Sequence, residues 1–136
     1  MNNDRFEELK RTFLPRFWDT ENNVMVYPEL NLAKDMIYMV KINNCHIQVQ
    51  ALTYMLFNPR FKEMKPTGLY DKNGTLIYDD DLIRGRMKAI HEIYWDADNC
   101  GFFAKIKDED TRFAIDKNWI ESCTKEIIGN IYQSNF

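Results

Sequence analysis

The sequence has little of what marks most specialised functions. It holds no run of about 18 apolar residues, so no helix able to cross a bilayer is expected. Asp4, Glu7 and Glu8 stand near the N-terminus, where a secretory leader would carry basic and then apolar residues. A cytoplasmic protein without membrane attachment is the expectation. An excess of one charge is also missing: 18 Lys and Arg face 21 Asp and Glu, for a net −3, with no basic arm or acidic tail. That balance disfavours general electrostatic capture of nucleic acid, which needs clustered cations. Histidine is limited to His46 and His91, and Cys45, Cys100 and Cys123 form no CxxC pair. A zinc site needs several such ligands converging, and a disulfide framework prefers an even count, so buried reduced thiols are expected. The chain also lacks a nucleophile elbow, a phosphate-cradling glycine loop and a zincin helix, and no cofactor or catalytic residue is expected from it.

What is present is core-forming material. Hydrophobic residues make up 45% and aromatics 14% of 136 residues, with only 5 Gly and 4 Pro, a composition that folds around one core. Phe6, Leu9 and Phe13 recur at steps of three and four, so residues 3–13 read as a short amphipathic helix ended by Pro15. Aromatic and β-branched residues on either side of Asp19-Thr20-Glu21-Asn22-Asn23 read as a hairpin. Residues 30–61 stay open, because the run around Met36–Ile42 fits helix or strand, although Ile47, Val49 and Ala51 alternate as a strand would.

From Thr67 onward the pattern sharpens. Asn73-Gly74 between apolar runs predicts a type I′ hairpin, with Thr75 to Tyr78 as its returning strand. Ile90–Trp95, Phe102–Ile106, Arg112–Ile115 and Lys125–Tyr132 then read as four further strands separated by turns, Asp96–Asn99 and the acidic Lys107–Asp110 among them. Short strands at near-regular spacing predict a small barrel or a strongly curled sheet. The expected fold class is α+β but mostly β. A helical prefix covers 1–14, a mixed region 15–63 and a small barrel 64–136, together one compact unit.

The stretch from Met64 to Ile83, with Thr67-Gly68-Leu69, Asp71-Lys72-Asn73-Gly74 and Ile77-Tyr78 followed by Asp79-Asp80-Asp81, resembles the signature of YopX-like phage and prophage proteins. Arg16-Phe17-Trp18-Asp19 with Met25-Val26, Tyr94-Trp95 with Gly101-Phe102, and Glu126–Gln133 follow in the order that family would place them. Together these blocks cover about half of the chain. The departures are the prefix before Pro15, Pro66 where a bulkier residue is common, and a clipped C-terminus after Gln133. The resemblance implies a phage-encoded protein with an SH3-like barrel in its C-terminal part and no established role. The signature residues have a structural reading of their own: Gly68 and Gly74 supply backbone freedom, and Leu69, Leu76, Ile77 and Ile83 supply core.

Candidate chemistry is sparse. Asp96-Ala97-Asp98-Asn99-Cys100-Gly101 opens like a calcium loop but has Cys100 at the fifth place and Lys107 at the twelfth, so a β-turn is expected. Asp79, Asp80 and Asp81 read as a solvated turn rather than a metal cluster. Binding is the more natural function. The apolar stripe Phe6, Leu9 and Phe13 packs on its own chain or on another, and Tyr70, Tyr78, Tyr94 and Trp95 offer aromatic contact. A protein partner or self-association is the favoured expectation. The alternative is a nucleic-acid-binding barrel using Arg84, Arg86 and Lys88, which a strand would set on one face.

Overall fold

The computed structural model describes residues 14–31, 37–42, 45–49, 58–122 and 124–133. The helix expected over residues 3–13, with Phe6, Leu9 and Phe13, lies outside the described residues. The chain divides into two compact units, at Phe13–Lys65 and from Pro66 onward.

The first unit is an antiparallel sheet of five strands in the order β4-β3-β2-β1-β5. Its strands are β1 (Arg16–Asp19), β2 (Val24–Asn31), β3 (Ile37–Ile42), β4 (Cys45–Val49) and β5 (Phe61–Met64). The run that fitted helix or strand is therefore a strand in its described part, and β4 takes up the alternation seen around Ile47 and Val49. Phe17 stands opposite Val26 on one side and Glu63 on the other, and Phe17, Trp18, Val26 and Met64 are buried.

Asp19 closes the β1–β2 turn. Its Oδ1 accepts from the N–H groups of Glu21 (3.0 Å) and Asn22 (3.3 Å), its Oδ2 from Asn22 Nδ2 (2.9 Å), and Asn23 follows with φ 54°. The Arg60 guanidinium then meets both oxygens of the fully buried Asp19 at 2.8 Å each, which fastens the turn to the loop before β5. Thr20 adds its N–H and hydroxyl to the Arg60 carbonyl at 2.9 and 2.8 Å.

In the second unit, β6 (Pro66–Tyr70) and β7 (Leu76–Tyr78) form a two-stranded ribbon. The strands β8 (Asp81–Arg84), β9 (Ile90–Asp96), β10 (Gly101–Ile106), β11 (Arg112–Ala114) and β12 (Glu126–Asn130) form an antiparallel sheet ordered β11-β10-β9-β8-β12. A short helix, α1 (Lys117–Glu121), stands between β11 and β12 in the chain. The core takes Ile77 from β7, Ile83 from β8, Ile93 from β9, Ala104 from β10 and Ile120 from α1, with Leu69, Ile115, Trp119 and Ile127 packed against it.

The sheet is open, which corrects the barrel expected from strand spacing. Spacing counts strands but does not pair the outermost two, and among the described residues β11 and β12 remain the two edges. The hairpin also differs from expectation. Asn73 is not at positive φ; the turn is closed by Gly74 N–H to the Asp71 carbonyl (3.0 Å) and Asp71 N–H to the Thr75 carbonyl (2.9 Å), with Gly74 alone left-handed at φ 78°. The Asp71 carboxylate favours this geometry, because Oδ1 accepts from both Asn73 N–H and Thr75 N–H at 2.9 Å. Asp96-Ala97-Asp98-Asn99 is the expected turn, built like that at Asp19: Oδ1 takes the N–H groups of Asp98 and Asn99, and Oδ2 takes Asn99 Nδ2 at 2.8 Å. Cys100 follows at φ 49° and is exposed, contrary to the buried thiols expected.

The run Asp79-Asp80-Asp81 is a turn in its first two residues, which are half-buried, while its third acid faces inward. Asp81 is 1% exposed and its Oδ2 accepts from Tyr78 N–H at 2.8 Å, while Asp80 Oδ2 accepts from the Tyr132 hydroxyl at 2.9 Å. Burial and the Asp80 charge hold the Tyr132 phenol well above its ordinary pKa, so it remains a donor.

Two outcomes follow from these carboxylates. The Arg60 guanidinium lowers the Asp19 pKa from 3.8 to about 2, so Asp19 contributes stability above pH 3.8 that is lost as pH falls toward 2. That contribution is about 2 kcal/mol, and Asp19→Asn should remove the acid limb between pH 4 and 2 from a plot of denaturation midpoint against pH. Asp71→Ala strands three backbone N–H groups and should cost about 3 kcal/mol in urea unfolding, with Asp71→Asn losing less.

Candidate binding groove

The five-residue helix α1 is far too short to persist alone, so its ends are held by side chains. Asp116 caps the N-terminus, its Oδ1 accepting from Trp119 N–H at 2.7 Å. Lys125, only 6% exposed, closes the other end: its ammonium donates to the carbonyls of Trp119 (2.7 Å) and Ser122 (2.6 Å) and lies 4.4 Å from the Trp119 ring centroid. His91 stacks edge-on against Trp119 at 5.2 Å and Phe113 at 5.9 Å. Its Nδ1 is buried and has no hydrogen-bond partner among the described residues.

The loop between β6 and β7 is fixed as firmly. Asp71 Oδ2 accepts from Ile127 N–H at 3.0 Å, Lys72 N–H donates to the Lys125 carbonyl at 3.1 Å, and the Lys72 ammonium sits 3.6 Å from Glu126. These bonds bring β6 beside α1 and leave between them a cavity of about 590 Å³. Gly68, Leu69 and Tyr70 form one wall, with Asp71 and Lys72 at the end. Lys117, Ile120, Glu121 and Thr124 form the other. Gly68, at φ 80°, sits in a bulge where β6 departs from its register with β7. Thr67 bridges the bulge, its hydroxyl donating to the Ile77 carbonyl at 2.7 Å and accepting from Leu69 N–H at 3.1 Å.

Chemically the groove offers apolar contact from Leu69, Tyr70 and Ile120, a strand with one unladdered side, and two ammonium groups at its rim. Among the described residues β6 pairs in a ladder with β7 alone. Asp71 has both oxygens engaged by backbone N–H groups, and Glu121 lies 3.8 Å from Lys117 across one helical turn. Among the described residues no three His, Cys, Asp or Glu side chains gather as a metal site would. No described helix is long and apolar enough to cross a membrane.

The residues singled out from sequence are dispersed. Tyr70, 44% exposed, lines the groove. Tyr78 is buried in β7. Tyr94 lies beside Phe103 with Arg112 5.6 Å over its ring, and Trp95 meets Phe102 edge-on at 4.9 Å, on the opposite face of β9 from Tyr94. Arg84, Arg86 and Lys88 do not share a strand face, because β8 ends at Arg84 and the chain turns at Gly85. Phe6, Leu9 and Phe13 lie outside the described residues. Sequence reasoning missed Lys72, Lys117, Ile120 and Glu121. The signal for the last three was Asp116 as an N-cap before Lys117–Glu121, too short a segment to show helical periodicity.

Fold and site together define a two-unit antiparallel β protein with a groove beside a clamped helical turn. The model of the family described as YopX protein matches residues 15–135, and the chain belongs to that family. Protein EF1440 from Enterococcus faecalis is similar in structure, with a TM-score of 0.53 and 23% identity over 88% of this chain and 94% of its own. YopX from Bacillus subtilis is similar with a TM-score of 0.50 and 20% identity over 88% and 93%. No curated protein matches.

Burial, with Lys125 nearby, lowers the His91 pKa from 6.5 despite a backbone contact at Ala89 that raises it. The unfolded chain then binds the proton more readily, so stability is full above pH 6.5 and falls as pH drops below it. His91→Phe should flatten that dependence, read as the denaturation midpoint between pH 7 and 5.

Proposed function

We propose that this chain is a non-enzymatic accessory protein of a phage or prophage, working in the host cytoplasm by binding another protein. The observation that carries the reading is the groove between β6 and α1. An extended segment of a partner laid along the unladdered side of β6 would gain main-chain hydrogen bonds there, while its alternate side chains meet Leu69, Tyr70 and Ile120. The bulge at Gly68 and the fixed helix make the site preformed, which limits the ordering cost of binding. At the rim, Lys117 is exposed and only 3.8 Å from Glu121, a surface pair weak enough to be exchanged for an acidic residue of the segment.

The reading is tested by placing a photo-crosslinking amino acid at Tyr70 and, as a control, at Phe103, and irradiating host cells that express the protein. A discrete adduct from position 70 that is absent from position 103 and lost with Lys117→Glu is the expected outcome. Identical adducts from both positions, or none from either, would sink the proposal.

A further inference from the structure

The end of β8 and its connection to β9 carry three cations, Arg84, Arg86 and Lys88, and the most exposed large apolar side chain among the described residues. Lys88 N–H donates to the Gly85 carbonyl at 3.0 Å, closing a turn with Arg86 and Met87 at its tip, and Lys88 takes φ 62°. Met87 is 79% exposed, and Arg84, Arg86 and Lys88 are exposed around it. Several cations elsewhere in the described residues are engaged: Arg60 with Asp19 and Glu21, Lys72 with Glu126, Lys117 with Glu121, and Lys125 at the end of α1, while Lys62 and Lys105 stand singly on their strands. Arg84, Arg86 and Lys88 have no ion pair or side-chain hydrogen bond there. Glu126, opposite Arg84 in the β12–β8 register, is turned to Lys72 and Asn73 instead. Among its described residues, a chain of net charge −3 thus presents a compact positive projection with an apolar point.

From this geometry we infer that the β8–β9 turn is a contact element for duplex nucleic acid. Arg86 and Lys88 stand two residues apart, at most about 7 Å between Cα atoms, and the minor groove is about 6 Å wide. The two cations reach the phosphates on either side while Met87 enters between them, the position apolar wedges take in minor-groove binders. Arg84, at the base of the turn, adds a third phosphate contact. The contact reads charge and groove shape rather than base sequence, and it is separate from the groove beside α1.

The test is fluorescence anisotropy of a labelled 20-base-pair duplex against the full chain at 50 and 200 mM salt. Binding that weakens about forty-fold between these salts is expected, since three phosphate contacts give a log–log slope near −2.7. Arg86→Ala should reduce that slope by about one. Met87→Ser should weaken binding several-fold with the slope unchanged, and Lys117→Glu, which addresses the other site, should leave binding intact. All substitutions on the turn are at exposed positions, and circular dichroism checks the fold. The inference is overturned by no binding at 50 mM salt, by equal binding of the Arg84, Arg86 and Lys88 triple alanine variant, or by displacement of the duplex by a polyglutamate peptide at equal charge concentration. Capture by phosphatidylserine vesicles without any duplex binding would overturn it as well and assign the turn to an anionic membrane surface.

Discussion

The second unit depends on one carboxylate. Asp71 receives Asn73 and Thr75 N–H on one oxygen and Ile127 N–H on the other, so a single buried side chain shapes the β6–β7 turn and joins it to a strand 56 residues later. Each of those N–H groups would otherwise be left unsatisfied in a partly buried site, which is costlier than the bond itself is favourable. Lys72 and Asn73 then follow onto Glu126, and the Lys72 N–H onto the Lys125 carbonyl. Lys125 in turn closes α1. The groove is therefore a by-product of a chain of polar fastenings that begins at Asp71, and its two walls are set in place by bonds at the end where Asp71 and Lys72 stand.

The same device recurs with different consequences. Asp19 and Asp96 each head a turn in which the residue three places on is asparagine and donates its amide to the carboxylate, and the fourth residue takes positive φ. At Asp96 the device stands at the surface and only closes a hairpin. At Asp19 the carboxylate is buried and Arg60 completes it, so the turn also fastens a distant loop. Burial and a partner, rather than the local motif, separate a structural hub from an ordinary turn. The buried Asp81 makes the same point, since nothing in three consecutive acids announces that the third faces inward.

The family blocks now have physical content. Arg16–Asp19 holds the buried face of β1 and its capped turn, the Asp71–Gly74 block holds the hairpin, and Glu126–Gln133 supplies the strand that receives Asp71 together with Tyr132, which donates to Asp80. Strands and turns of both units were legible wherever alternating apolar residues met turn-forming ones, as in β1–β2, β9–β10 and β12. The helix α1 was not, because five residues carry too little period. Nor was β8, whose Asp81-Leu82-Ile83 is buried throughout and so does not alternate. Of the groove, only Tyr70 stood out beforehand, as an aromatic; Lys72, Lys117 and Glu121 look like ordinary surface charges until the fold brings them to one rim.

By itself the sequence determined which segments extend and where they reverse, because side-chain alternation and the backbone preferences of Asp, Asn and Gly act over a few residues. It also carried the family, through an ordered set of short blocks. Only the tertiary structure decided that the strands form open sheets rather than a closed barrel, since closure depends on whether the outermost strands find each other. It likewise decided that Arg84, Arg86 and Lys88 cluster around a turn and not along a face, because the chain reverses at Gly85. The groove belongs to the same category: its walls come from residues about 50 positions apart, and their approach is set by hydrogen bonds that no local pattern encodes.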